Sequence, residues 1–157
     1  DVFLDMWDAA DAILGAAGLQ RYEISNFALT GEECRHNVEV WQGGTYLGCG
    51  PSAVSFDGAG RSANPSDLTA WLNRAPPVRE TLPAHEQAAE ILAFGMRRTV
   101  GWQWQDFQQR TGFDARQLRG DALAQLAKRG LLTSDASGAR PTRQGMLFND
   151  DVIMELL

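Results

Sequence analysis

The sequence predicts an α+β chain in two parts: a helix-and-strand segment of the kind that α/β barrels repeat, then a small helical unit closed by a two-stranded wing. Three observations carry this. An amphipathic stretch near the start runs through a glycine into alternating residues, Pro76-Pro77 interrupts the middle, and three helical stretches then lead into a short turn between extended residues. The boundary is placed at the proline pair, giving one unit over 1–77 and a second over 78–157.

Phe3, Met6, Trp7, Ala10, Ile13, Leu14 and Ala17 recur at three- and four-residue spacing, which puts them on one helical face with Asp5, Asp8 and Asp11 mostly outward. Gly18 can end that helix in the left-handed conformation. Alternation over Arg21, Tyr22, Glu23, Ile24 and Ser25 then predicts a strand. Val38, Val40 and Trp41, followed by Gly43-Gly44 and by Tyr46 and Leu47, predict a hairpin, since paired glycines supply the positive φ of tight turns. Asn64-Pro65 predicts the cap and first residue of a short helix whose buried stripe is Leu68, Trp71 and Leu72. Pro76-Pro77 cannot continue it, having no backbone donors.

Beyond the break, Pro83 to Arg98 predicts a helix with Ala88, Ile91, Leu92 and Gly95 on one face, and Trp104 to Arg110 a shorter one. Asp114 to Arg129 predicts a third, with Leu118, Leu123, Leu126 and Ala127 inward and Gly130 as its stop. Leu131 to Thr133 leads into Ser134-Asp135-Ala136-Ser137-Gly138, and the chain returns through 139–142 into one last helix. Three helices and a two-stranded wing suggest a winged-helix-like second unit.

Composition narrows the function. Of 157 residues, 44% are hydrophobic and 22% charged, which suits a folded globular protein and excludes disorder for most of the chain. No apolar stretch approaches the roughly 20 residues of a membrane-spanning helix, no secretory leader is visible, and two cysteines cannot staple a secreted mini-protein; the expectation is cytoplasmic. Residues 1–78 carry net −6 and residues 79–157 net 0. The chain thus lacks the basic footprint that supplies most nucleic-acid affinity, and nucleic acid is not expected as a partner.

The run Tyr22-Glu23-Ile24-Ser25-Asn26-Phe27-Ala28, then Cys34-Arg35-His36-Asn37, Trp41 and Tyr46-Leu47-Gly48-Cys49-Gly50-Pro51-Ser52-Ala53 resembles the radical-SAM haem chaperones and the oxygen-independent coproporphyrinogen III oxidases related to them. Arg61 and Asn64 resemble the family's R-x-x-N, and Glu90-Ile91-Leu92 with Gly95-Met96-Arg97 its first C-terminal helix. Gly130-Leu131-Leu132 resembles the entry to its wing, and Thr142, Gly145, Leu147 and Asn149 its closing T-x-x-G-x-L-x-N. The resemblance covers nearly the whole chain. It implies the C-terminal part of a partial TIM-like radical-SAM barrel followed by the family's C-terminal domain. The family's cluster motif CxxxCxxC has no counterpart here, since Cys34 and Cys49 are far too widely spaced. The sequence opens on Asp1 inside what reads as an amphipathic helix, a position outside the residues described below. The expectation is therefore a piece whose N-terminal barrel half is missing, which exposes an apolar face and is inactive by itself.

Two constellations carry the functional expectation. In the haem-chaperone branch the first reads HNxxYW and is associated with haem binding, so the resemblance implies His36 as an axial ligand to haem iron, oriented through Asn37, with Trp41 alongside. Val40 stands where the family has Tyr. Without the family, a lone histidine in a loop is more often solvated or hydrogen-bonded. The second is Gly48-Cys49-Gly50-Pro51-Ser52-Ala53-Val54. Glycines leaving a strand let backbone approach a ligand closely. The resemblance implies that Gly48, Gly50, Ser52 and Val54 border S-adenosylmethionine or the substrate pocket, Val54 standing where the oxidases contact a second S-adenosylmethionine. A strand end packed on a neighbouring helix is the alternative.

Asn26 and Ser25 either line a barrel mouth or form a turn. Cys34 and Cys49 with His36 lack the fourth ligand of a zinc site, and His85 beside Glu86 and Glu90 reads as a solvated first turn. The expected function is a haem chaperone that, in full length, binds a [4Fe–4S] cluster, S-adenosylmethionine and haem, and passes haem to an acceptor protein. One alternative is oxidative decarboxylation of porphyrinogen propionates by a genuine oxidase. The other is a partner-binding winged-helix module whose third helix presents Arg116, Arg119, Lys128 and Arg129.

Overall fold

In the computed structural model, which describes residues 2–157, α1 (Val2–Ala16) forms where the apolar spacing predicts it. It ends at Gly18, whose φ of 81° lets the Leu19 amide reach back to Leu14 O at 3.0 Å. None of its residues is buried: Phe3 is 59%, Met6 67% and Ile13 69% exposed. Phe3, Met6 and Ile13 of the stripe face outward, while Trp7, Ala10 and Leu14 are half-buried, Trp7 beneath the Arg21 guanidinium at 3.7 Å.

The predicted strand over Arg21–Ser25 is replaced by two short ones, β1 (Gln20–Arg21) and β2 (Phe27–Ala28), paired antiparallel. Glu23 breaks the run. Its buried carboxylate accepts from Ser25 N at 2.9 Å and from the Asn26 amide, so Ser25 and Asn26 act as turn formers.

The predicted hairpin over 38–47 is also replaced, by the helix α2 (Arg35–Trp41). The glycine pair ends that helix. Gly43, at φ 75°, donates to Val40 O at 3.1 Å and Gly44 donates to Glu39 O at 2.7 Å, the paired bonds of a Schellman motif. Of the positive φ expected at this pair, Gly43 alone shows it, and it closes a helix rather than a hairpin.

Next, β3 (Val54–Phe56), β4 (Arg61–Ala63) and β5 (Val78–Glu80) form an antiparallel sheet, with Tyr46 bridged to Phe56. Although β5 follows Pro76-Pro77, it pairs with β4. The short helix α3 (Leu68–Leu72) is capped by Asp67, whose carboxylate accepts from Ala70 N at 2.7 Å, rather than by Asn64. Its expected buried stripe is exposed, Leu68 at 57% and Leu72 at 63%.

The core lies downstream. α4 (Ala84–Gly95), β6 (Trp102–Gln103), α5 (Trp104–Thr111), α6 (Ala115–Lys128), β7 (Leu132–Ser134) and β8 (Gly138–Pro141) follow in order, and the strands pair as β6-β8-β7. Ala88, Leu92, Leu123 and Leu126 point inward as their spacing predicts, joined by Met96, Phe107, Val152 and Leu156. α6 kinks at Arg119, beside Gly120, where the guanidinium turns to the chain-end carbonyls of Leu156 and Leu157 at 2.9 Å. The single last helix is two, α7 (Arg143–Leu147) and α8 (Asn149–Leu156), broken at Phe148.

The halves are tied by polar contacts. Thr99 N donates to Tyr22 O at 3.0 Å, Gln87 to Gly58 O at 2.9 Å, Arg61 pairs with Glu90 at 2.6 Å, and Arg143 pairs with Asp8.

Candidate functional site

The short helix α2 carries the first constellation. His36 lies exposed in its first turn rather than in a loop, and Cys34 before it offers no side-chain cap. Asn37 donates to the Tyr22 hydroxyl at 3.4 Å, which ties α2 to the β1–β2 hairpin. Trp41, the last helical residue, packs beneath the Arg97 guanidinium, 4.5 Å from the ring centre, and its Nε1 is covered without an acceptor. From the second half, Arg110 donates to Gln42 O and to Glu39, each at 3.0 Å. A cation at the exposed carbonyls of a helix end offsets the helix dipole, so a helix with no side-chain cap bond at its start is held from its end.

The second constellation is a loop leading into β3. Gly48 N donates to Ser55 Oγ at 3.0 Å, and a Cβ there would meet Val54 O at 2.2 Å, so packing alone demands this glycine. Gly50, at φ 106°, borders open space, with nothing within 4 Å of where a Cβ would stand, while its carbonyl accepts from Asn64 Nδ2 at 2.9 Å. Ser52 is exposed at φ 60°, and Val54 opens β3 at 36% exposure. Asn64 thus ties down the glycine loop instead of starting a helix.

Between the constellations lies a cleft of about 240 Å³ walled by Trp41, Tyr46, Phe56, Ile91 and Phe94, with Arg61 and Glu90 on its rim. Of the cofactor-binding residues that the resemblance implies, Trp41 lines it; His36, Asn37, Gly48, Gly50, Ser52 and Val54 stand outside its wall. The hydrogen bond that Arg61 donates to Glu90 raises the Arg61 pKa above its ordinary value against the opposing pull of burial. Sequence reasoning singles out Arg61 and Glu90 as motif residues without showing that they pair. The aromatic wall is assembled from α2, the bridged Tyr46, β3 and α4, and no local spacing shows it.

Among the described residues, no group of three histidines, cysteines or carboxylates is placed to hold a metal ion, and Cys34 and Cys49 are free and exposed. This chain's residues do not fit an iron–sulfur cluster. His36 is exposed and has no side-chain partner among the described residues, which leaves its imidazole free to act as a ligand. No helix among the described residues is long and apolar enough to cross a membrane.

A family model described as the HemN C-terminal domain matches residues 82–148. The haem chaperone HemW of Bacillus subtilis is 30% identical over 94% of this chain and 41% of its own length. The mitochondrial radical S-adenosyl methionine domain-containing protein 1 of Bos taurus is 34% identical over 98% of the chain and 38% of its own. Coproporphyrinogen III oxidase (HemN) from Escherichia coli shares the fold over 98% of the chain and 40% of its own, with TM-score 0.69 and 19% identity. The chain spans about two fifths of the length of the curated relatives it matches. Motif order along the chain, the matched C-terminal domain and the shared fold converge: the chain belongs to the HemN-like radical-SAM family and corresponds to the C-terminal part of its longer members.

Proposed function

We propose that this chain is the C-terminal part of a haem chaperone of that family, a protein that binds haem and hands it to an acceptor protein. The observation that carries the reading is the exposed His36 at the start of α2, in a sequence alignable over most of its length with haem chaperones. In this reading His36 presents a neutral imidazole to haem iron, Asn37 and Arg110 hold the helix that bears it, and Trp41 flanks the bound edge. Gly50, Ser52 and Val54 border the S-adenosylmethionine or substrate side, where Gly50 leaves room for a ligand. The [4Fe–4S] cluster and its bound S-adenosylmethionine, supplied by upstream sequence, provide the radical chemistry of the family; this chain alone runs no such reaction. A cytoplasmic setting suits its free, exposed cysteines.

The test is a titration of the chain with haemin. His36→Ala should weaken binding roughly tenfold, the loss of one ligand bond of about 1.4 kcal/mol, and shift the Soret band. An unchanged band and affinity would reject His36 as ligand.

The order α4-β6-α5-α6-β7-β8, with a three-stranded sheet, favours a winged-helix form for the second unit and a docking or lid role for it. On its third helix Arg116 pairs with Asp114, Arg119 holds the chain-end carbonyls, and Arg129 faces Asp151 and Glu155. These cations have internal partners, which weighs against a phosphate backbone as the docked surface. Oxidase activity is the second reading, supported by the fold shared with HemN; formation of vinyl groups from coproporphyrinogen by the full-length protein would select it.

A further inference from the structure

Arg97 follows α4 by two residues, one helical turn on from Phe94 in the cleft wall, and lays its guanidinium over the Trp41 ring at 4.5 Å. Its neighbours around the cleft are matched: Arg61 pairs with Glu90 at 2.6 Å and Arg110 with Glu39 at 3.0 Å. Arg97 has no carboxylate partner among the described residues. Its Nε and the Trp41 Nε1 are covered and lack acceptors. The corner therefore combines a full positive charge with two N–H dipoles that nothing receives, and it adjoins a cleft walled by aromatic and aliphatic side chains. What it lacks is an anion.

The guanidinium fork matches a planar carboxylate with two parallel hydrogen bonds, and its place over the indole ring restricts how far it can swing. The cleft, at about 240 Å³, falls below the roughly 300–1,000 Å³ of pockets that enclose a whole ligand, so it takes the edge of a flat ring system. We infer that the Arg97–Trp41 corner receives the carboxylate arm of a flat aromatic ligand whose edge enters the cleft between α2 and α4. On the haem reading above, on which this inference rests, the ligand is a tetrapyrrole and the arm one of its propionates. Arg97 is then a binding residue that reads the ligand's periphery while His36 meets its metal.

Metal-free protoporphyrin IX and its dimethyl ester separate the two, because without iron His36 ligation plays no part. The 157-residue chain is titrated with each, following quenching of tryptophan fluorescence. The free acid should bind about tenfold more tightly than the ester, as expected for one charge-assisted contact. Arg97→Gln should level the two, and Arg97→Lys should keep part of the preference. A wild-type chain that binds both porphyrins equally, or an Arg97→Gln chain that retains the preference, overturns the carboxylate corner and leaves the tetrapyrrole reading standing. Failure to bind either porphyrin or haemin overturns both. The wild-type comparison needs no variant, so a misfolded Arg97→Gln does not shelter the inference.

Discussion

Thr142 shows how much of the closing motif is structural. Its hydroxyl donates to Gly130 O at 2.7 Å and accepts from Gly145 N at 3.0 Å, so it caps α7 and seals the end of α6 together. Three residues on, a Cβ at Gly145 would stand 1.9 Å from Leu131 O, a backbone atom that cannot step aside. Asn149 completes the set by donating to Met96 O at 3.1 Å from a buried position. Thr142→Ala should therefore cost about 1 kcal/mol, the usual loss of a cap, and Gly145→Ala clearly more, read as a lower urea midpoint at constant m-value. Equal losses would mean that the close approach at Gly145 is relieved by movement of α7.

At the scale of elements, the wing turn makes a pH prediction. Asp135 accepts from Ser137 N at 2.7 Å, Ser137 Oγ at 2.6 Å and Gly138 N at 3.1 Å, and those bonds hold its carboxyl below the usual carboxylate range. A depressed carboxylate pKa favours the fold above the unfolded value of 3.8 and withdraws that support as pH falls through the folded one. Amides of 135–138 should thus keep their protection at mildly acid pH and lose it only below 3.8; loss near pH ~5 would count against the turn. Helices whose apolar residues recur at three- and four-residue spacing are legible in sequence, α1, α5 and α6 to within a residue or two and α4 to within three at its end. α2 is not. Its length is two turns, and Gly43-Gly44 serves a hairpin and a Schellman end equally well until the Arg110 contact, 68 positions away, chooses. The site is legible in the same measure: His36, Trp41 and the glycine loop come from motifs, while the aromatic cleft and the stacking of Arg97 come only from juxtaposed elements.

Over the whole molecule, the hydrophobic cluster is drawn from residues 88–156, whereas upstream Ala28 and Phe56 are the buried apolar residues among those described. Hydrogen exchange should accordingly be slowest in α4, α6 and α8 and fastest in α1, whose apolar face is open. That face should bind a hydrophobic dye and promote association of the chain, and Phe3→Glu with Met6→Lys should abolish both; a dye-free monomer before substitution would contradict it. Phe107→Ala, at the centre of the cluster, should lose about 3–5 kcal/mol and unfold both halves together if their polar ties hold. The tie through Arg110 also sets an order in time. α2 begins at Arg35, but the guanidinium that meets the Gln42 carbonyl at its end and the Glu39 carboxylate arrives with α5. During synthesis at roughly 5–20 residues per second, the helix bearing His36 waits several seconds for its clasp. The nascent chain is thus born without a finished seat, and whatever seat α2 offers is completed only once the downstream domain has begun to fold.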